Sequence, residues 1–406
     1  MKRPDPSTLL LAQAFPEQPQ WSAAQRLRAF IEDYWQQRSL LMPAAIADVP
    51  ALQSLLDADE LAGLACETGI DARIVRRRGD HFEAVNGPFE AEEFAGIGDV
   101  DWSLLVNGVD LELPGFEPFF ALLRFVPDWR LDDAMVSFAA PGGSVGPHFD
   151  HYDVFLVQIT GRRRWELSLA CDGPGRPRRA DTALDLLAGF EAEETLYCEP
   201  GDVLYVPPGM VHHGVAETAC LTLSLGLRAP SAADLLAAWA CARGDSRPLA
   251  LDPPLPAEPG RLAAGTIASA RAAMRATLLQ SLDAAPDEVF ARWLGATLTK
   301  PGRLTPLAPP APISTAELTA EVAAGAVLER SPGIRLLFHD DGRGRTLFAG
   351  GQTFPADALS DTALTAFIDS AVLDTDDLGE ASALQLGVEL YNAGWMLLSE
   401  PGGDTK

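Results

Sequence analysis

The chain has 406 residues, 47% of them hydrophobic and 22% charged, which is enough for two or three domains around at least one sizeable core. Its formal charge of −26 argues against binding a phosphate backbone, which needs clustered Lys and Arg, and suits a basic partner. No apolar run approaches the ~20 residues of a membrane span, and five scattered cysteines without a CxxC pair suggest neither a disulfide frame nor a zinc ribbon.

The opening MKRPDPSTLLLAQAF is a poor signal peptide, because prolines interrupt a very short apolar patch, so a cytoplasmic location is expected. Residues 21 to 38 repeat apolar positions at helical spacing (Leu27, Phe30, Ile31, Tyr34) and predict a helix. From about 68 to 230 short apolar runs broken by Gly, Pro and Asp take over: DARIVRR, HFEAV, AMVSFAA, YDVFLVQIT, RRWELSLA, ETLYC, DVLYVP and CLTLSLGL. Such spacing predicts an all-β sandwich or barrel, interrupted by a helical pattern at 116 to 126. Pro230 and Ser231 open a helix with a capping-box-like SAAD. A proline-rich linker (245 to 260) precedes an alanine-rich helical segment (about 261 to 299). A second linker (301 to 315) ends in Thr315, an expected N-cap. The tail reads helix, strand, turn, strand, helix, helix, in the order of a small winged-helix module.

The chemistry concentrates in GPHFDHYDVFLVQITGRRRW, residues 146 to 165. If His148-Phe149-Asp150 is a strand segment, His148 and Asp150 share a face and Phe149 packs on the other. A third ligand is then expected on a later strand, and GDVLYVPPGMVHHG supplies His212 and His213. Two imidazoles and one carboxylate on one face leave coordination positions open, which suits non-haem Fe(II) that must take up a co-substrate and O₂. In TGRRRW, alternation puts Arg163 on the face of Trp165 and Ile159, pointing into the barrel, and leaves Arg162 and Arg164 on a solvated face. A buried guanidinium needs an anion, and a dicarboxylate gripped by its fork fulfils that need.

Together with PDWRLDDAMVSFAAPGGSVG and EPGDVLYVPPGMVHHG, these residues resemble the JmjC-type ribosomal oxygenases. They are most similar to the bacterial arginine hydroxylases that act on a large-subunit ribosomal protein. The resemblance implies a mainly β fold with helices: a double-stranded β-helix (the JmjC or cupin barrel), a helical dimerisation region and a C-terminal winged-helix-like domain. The expected bounds are 1–230, 231–300 and 301–406. It implies an Fe(II)- and 2-oxoglutarate-dependent dioxygenase that uses O₂ to hydroxylate an arginine β-carbon. His148, Asp150 and His212 fall on the family's metal ligands, with His213 turned away or beside them. Arg163 falls on the residue that holds the distal carboxylate of 2-oxoglutarate, and Ser137 on a position that touches co-substrate or substrate. By analogy Tyr152, placed on the strand face of His148 and Asp150, and Asp133 face a substrate guanidinium. The implied partners are a basic ribosomal protein and a second copy of the chain, with no direct nucleic-acid contact and no membrane. His151 and Ser144 depart from the family pattern, at positions often Gln and Gly. Demethylases, histidyl hydroxylases and a non-catalytic cupin-like binding module are the competing expectations. The acidic stretch of the tail (Asp369, Asp374, Asp376, Asp377, Glu380) points to protein contact.

Overall fold

The computed structural model describes residues 14, 15, 17, 18, 20–116, 119, 120, 122, 123, 125–243, 264–301 and 311–399. They fall into two units, Met1–Ala229 and Pro230–Lys406.

In the first unit the predicted N-terminal helix is α1 (Ala23–Asp33). Ser22 and Gln25 form its capping box, and Phe30 is its fully buried residue. Eleven strands follow among the described residues: β1 (Leu40–Met42), β2 (Ala72–Arg78), β3 (His81–Asn86), β4 (Trp102–Val106), β5 (Leu131–Ala139), β6 (Asp153–Thr160), β7 (Arg163–Leu167), β8 (Glu194–Cys198), β9 (Val203–Val206), β10 (His212–Ala216) and β11 (Cys220–Leu227). Each of the eight apolar runs carries a strand. The helix expected at 116–126 falls partly on residues 117, 118, 121 and 124, outside the described residues.

The strands form two antiparallel sheets, one in the order β1-β9-β6-β11-β5-β4-β2-β3 and one in the order β10-β7-β8. Alternation assigns the faces of the larger sheet. Phe155, Val157 and Ile159 of β6 pack outward with Phe30 and Tyr205 in the main core. Val154 and Leu156 pack inward with Trp165 and Leu167 of β7 and Leu204 and Val206 of β9. Two sheets facing each other across an inner wall of this kind are the double-stranded β-helix. Burying Asp153 in the outer core requires compensation: Tyr205 Oη donates to it at 2.6 Å and Arg130 at 2.9 Å.

The second unit begins with α2 (Ala232–Arg243), where Ser231 and Asp234 exchange capping bonds as expected. The alanine-rich segment forms two helices, α3 (Ala264–Asp283) and α4 (Asp287–Leu298). Trp239 is buried among Phe290, Trp293 and the Ser281 hydroxyl. Both proline-rich linkers lie largely outside the described residues. The winged-helix module follows as α5 (Thr315–Ala323), β12 (Val327–Arg330), β13 (Leu336–Asp340), β14 (Arg345–Ala349), β15 (Gln352–Pro355), α6 (Asp361–Asp369), β16 (Val372–Leu373), α7 (Ala381–Asn392) and β17 (Met396–Ser399). Here the sequence expectation shifts by one residue: Ser314, not Thr315, caps α5, because the Ser314 hydroxyl accepts from Glu317 N and the Glu317 side chain reaches back. No helix among the described residues is long and apolar enough to cross a membrane.

Candidate metal centre

The glycine-rich turn after β5 brings the site together. Gly143 lies so close to the β4 backbone that a Cβ there would sit 2.2 Å from the Trp102 carbonyl. Ser144 is fully buried, and its hydroxyl accepts from Gly146 N at 3.0 Å, holding the turn closed. The segment then runs antiparallel to the chain leading into β10. Gly142 N donates to Ala216 O, His148 N to His212 O, His212 N to His148 O and Gly209 N to Asp150 O.

His148-Phe149-Asp150 is therefore not a regular strand, contrary to the sequence expectation. His148 makes a single bridge to His212, and the bends at 151 and 152 separate Asp150 from β6. Pro147 lacks a ladder donor and Gly146 has φ +89, so the run cannot extend. The bridge still delivers the ligand geometry, since cross-strand partners put their side chains on one face. One ligand atom each from His148, Asp150 and His212 lie within 4.8 Å of one another. His212 Nε2 stands 3.6 Å from Asp150 Oδ2, and the two imidazole rings are 4.3 Å apart between centroids.

The donor set fits a divalent metal. His148 Nδ1 lies 2.8 Å from Gly146 O, and His212 Nδ1 lies 3.1 Å from Met210 O. A carbonyl only accepts, so each Nδ1 carries the proton and each Nε2 presents its lone pair to the cluster. Burial first, and then the neighbouring His148, pushes the His212 imidazole down to about 4, which keeps it neutral as a ligand must be. His213 points to the opposite face of β10, where its Nδ1 donates to Glu166 at 2.8 Å. His151 is exposed and packs against Phe149.

Arg163 is 4% exposed and has no carboxylate partner among the described residues. Its Nη1 donates to Ser137 Oγ at 3.3 Å and Thr222 Oγ1 at 3.5 Å, its guanidinium lies over the Trp165 ring, and its Nε has no acceptor. Cys198 and Cys220 flank it as neutral thiols, the former pushed up to about 12 by burial. Arg162 and Arg164 face outward, as expected, in ion pairs with Glu217 and with Glu199 and Glu166 respectively.

At the other end of the inner wall, Asp133 and Tyr152 flank Gly226, where a Cβ would lie 3.5 Å from Asp133 Oδ1 and 3.7 Å from Tyr152 Cε2. Tyr152 lies in the bend before β6 and not on a strand with the ligands. Its ring already carries the Arg228 guanidinium, which Asp132 pairs at 2.9 Å. Burial and then the Asp150 carboxylate raise its pKa, so it remains a neutral phenol. Thr222 and Gln158, polar residues of the inner wall, escaped the sequence reading. The signal for Gln158 was there, as the polar member of the inward series Val154, Leu156, Gln158.

A two-sheet β-helix with a His/Asp/His cluster and an unpaired arginine on its inner wall defines a metal-dependent oxygenase of the JmjC class. The JmjC domain family model matches residues 119–235, and that of the ROXA-like winged helix matches residues 275–396. The ribosomal protein uL16 3-hydroxylase of Escherichia coli (strain K12) is 33% identical over 385 residues, 90% of this chain and 96% of that protein. A probable ribosomal oxygenase of Haemophilus influenzae is 35% identical over 210 residues, about half of each chain. Among solved structures, that of YcfD, a ribosomal oxygenase from Escherichia coli, with cobalt and 2-oxoglutarate is 30% identical, with a TM-score of 0.71 over 92% of this chain and 98% of that one. The chain belongs to the JmjC ribosomal oxygenase family.

Proposed function

We propose that this protein is an Fe(II)- and 2-oxoglutarate-dependent hydroxylase of a large-subunit ribosomal protein. The observation that carries the proposal is the pairing of the His148/Asp150/His212 cluster with Arg163, a buried cation without an acidic partner among the described residues. The chemistry that iron supplies with 2-oxoglutarate and O₂ is insertion of one oxygen into a C–H bond, with succinate and CO₂ as co-products. The residues of this chain do the positioning. His148, Asp150 and His212 would hold the metal, each through one ligand atom. Arg163 accepts the distal carboxylate, whose charge removes the cost of burying a lone guanidinium. Ser137 sits beside it, within reach of the same carboxylate. The inner wall excludes water with Val154, Leu156, Leu204 and Val206.

The name of the Escherichia coli relative specifies a 3-hydroxylase, and position 3 of an amino acid is its β-carbon. We assign the target here to an arginine β-carbon, with Asp133 supplying a carboxylate for the guanidinium and Tyr152 lining its path. The acidic surface of the chain draws a basic ribosomal protein towards the site and does not favour nucleic acid. Cytoplasmic location follows from that partner. In the division 1–230, 231–300 and 301–406, the middle region forms a homodimer. Its support is the apolar side chains that α2, α3 and α4 leave exposed, among them Leu236, Ile267, Met274, Leu279 and Phe290. Succinate release, measured with and without a large-subunit ribosomal protein, tests the function. Release stimulated by one such protein supports it, and release indifferent to all of them would leave an oxygenase of another substrate.

A further inference from the structure

Gln158, Thr222 and Ser137 are adjacent members of one cross-strand row on the inner face of the large sheet. Thr222 of β11 pairs in register with Gln158 of β6 on one side and Ser137 of β5 on the other. Arg163 reaches this row from the facing sheet and touches two of its members. A register shift between Leu221 and Thr222 marks a bulge beside Gln158, the kind of irregularity that re-aims side chains next to functional sites.

The direction of every hydrogen bond in the row follows from elementary chemistry. A guanidinium can only donate, so Ser137 and Thr222 must turn lone pairs towards Arg163. The single proton of Thr222 goes to Gln158 Oε1, at 3.2 Å. Both amide protons of Gln158 are engaged, by Thr160 O at 2.8 Å and Leu221 O at 3.4 Å. Flipping the amide would set its oxygen against two carbonyls, so its orientation is fixed. The Ser137 proton, by contrast, has no acceptor among the described residues. Gln158 is 1% exposed and, among the described residues, hydrogen-bonds neither the metal cluster nor Arg163, so nothing in the reaction itself calls for an amide there.

We propose that Gln158 is a positioning residue of the co-substrate subsite. By taking the Thr222 proton it fixes Thr222 as an acceptor that orients Arg163, and it leaves Ser137 as the hydroxyl free to donate to the incoming carboxylate. This rests on the assignment of Arg163 to 2-oxoglutarate made above. Without Gln158 the Thr222 proton turns towards the guanidinium or the carboxylate, and the clamp loses its preset geometry.

The test is calorimetric titration of 2-oxoglutarate into the full-length, Mn(II)-loaded protein, comparing wild type, Gln158→Leu, Thr222→Val and the double variant. Each single change is expected to weaken binding by about three- to tenfold, the size of one buried hydrogen bond. The double is expected to be no worse than the weaker single, because both act through one path. The loss is expected to appear also as a rise in KM for 2-oxoglutarate with Mn(II) affinity retained, whereas a merely structural role would lower Mn(II) affinity with it. Wild-type affinity in Gln158→Leu, or losses that multiply in the double variant, would overturn the proposal. If Gln158→Leu fails to fold, the near-isosteric Thr222→Val carries the test, and unaltered affinity there overturns it equally. A wild-type protein that binds Mn(II) but no 2-oxoglutarate would remove the co-substrate assignment itself, and this proposal with it.

Discussion

Gly214 and Arg163 face each other so closely that a Cβ on Gly214 would lie 2.6 Å from Arg163 Nε, and equally close to the Trp165 ring. Gly214 is the register partner of Trp165 on the neighbouring strand, and the missing side chain is the space that the guanidinium occupies. Gly214→Ala is therefore expected to displace Arg163 rather than His212, the ligand two residues away. KM for 2-oxoglutarate rises by about tenfold or more, while the thermal shift produced by Mn(II) is retained. Equal loss of metal binding would show that the strand as a whole had moved.

Asp150 is the only carboxylate in the cluster, and it carries the one negative charge that two neutral imidazoles cannot supply. Asp150→Asn keeps the shape and is expected to abolish both the Mn(II)-induced rise in melting temperature and turnover. Chelation of wild type should reproduce this state, with activity restored by Fe(II).

Arg163→Lys keeps a positive charge but loses the two-pronged grip on a carboxylate. KM for 2-oxoglutarate is expected to rise by about tenfold, and Arg163→Met, without the charge, should bind no measurable 2-oxoglutarate. Full affinity in Arg163→Met would move the carboxylate subsite elsewhere in the barrel.

Burial, followed by the Arg77 charge, holds the His213 imidazole down to about 4, against an ordinary value of 6.5. The unfolded chain takes up this proton near pH 6.5, whereas the folded protein refuses it until about pH 4. Between those values the unfolded state binds more protons. The contribution of His213 is therefore complete above pH 6.5 and is lost as the pH falls towards 4, by at most about 1.4 kcal/mol per pH unit. In metal-saturated protein, His213→Gln should flatten the fall in denaturation midpoint across this window. Parallel curves for the two proteins would contradict it.

Much of this site was legible in the sequence because it depends on short-range pattern. Strand alternation within TGRRRW put Arg163 on the inward face of Trp165, whereas Ile159, expected on that same face, packs outward because the turn at Gly161 breaks the alternation. The eight apolar runs located their strands. Other features depend on partners that the sequence does not display. β4 was missed because Trp102–Val106 is buried throughout and so shows no alternation, and an apolar run of that length is ambiguous. The His148–Asp150 segment was expected as a strand because its spacing matches one, yet its sheet contact is one bridge to His212. The Gln158–Thr222–Ser137 row spans residues 137 to 222 and exists only once the register of three strands, including a bulge, is set. Ser314 and Thr315 are both competent caps, and the reciprocal bond with Glu317 selects the first.

Intact-protein mass spectrometry shows whether this protein hydroxylates an arginine of a ribosomal protein. Unmodified large-subunit ribosomal proteins would be incubated with the purified enzyme, Fe(II), 2-oxoglutarate and O₂, with His148→Ala as the control. The predicted result is a gain of one oxygen atom on a single ribosomal protein, mapped by fragmentation to an arginine and absent with the variant. Oxygen gained on a different residue type would contradict the arginine assignment. No gain on any of them, in a reaction that still consumes 2-oxoglutarate, would contradict the ribosomal substrate.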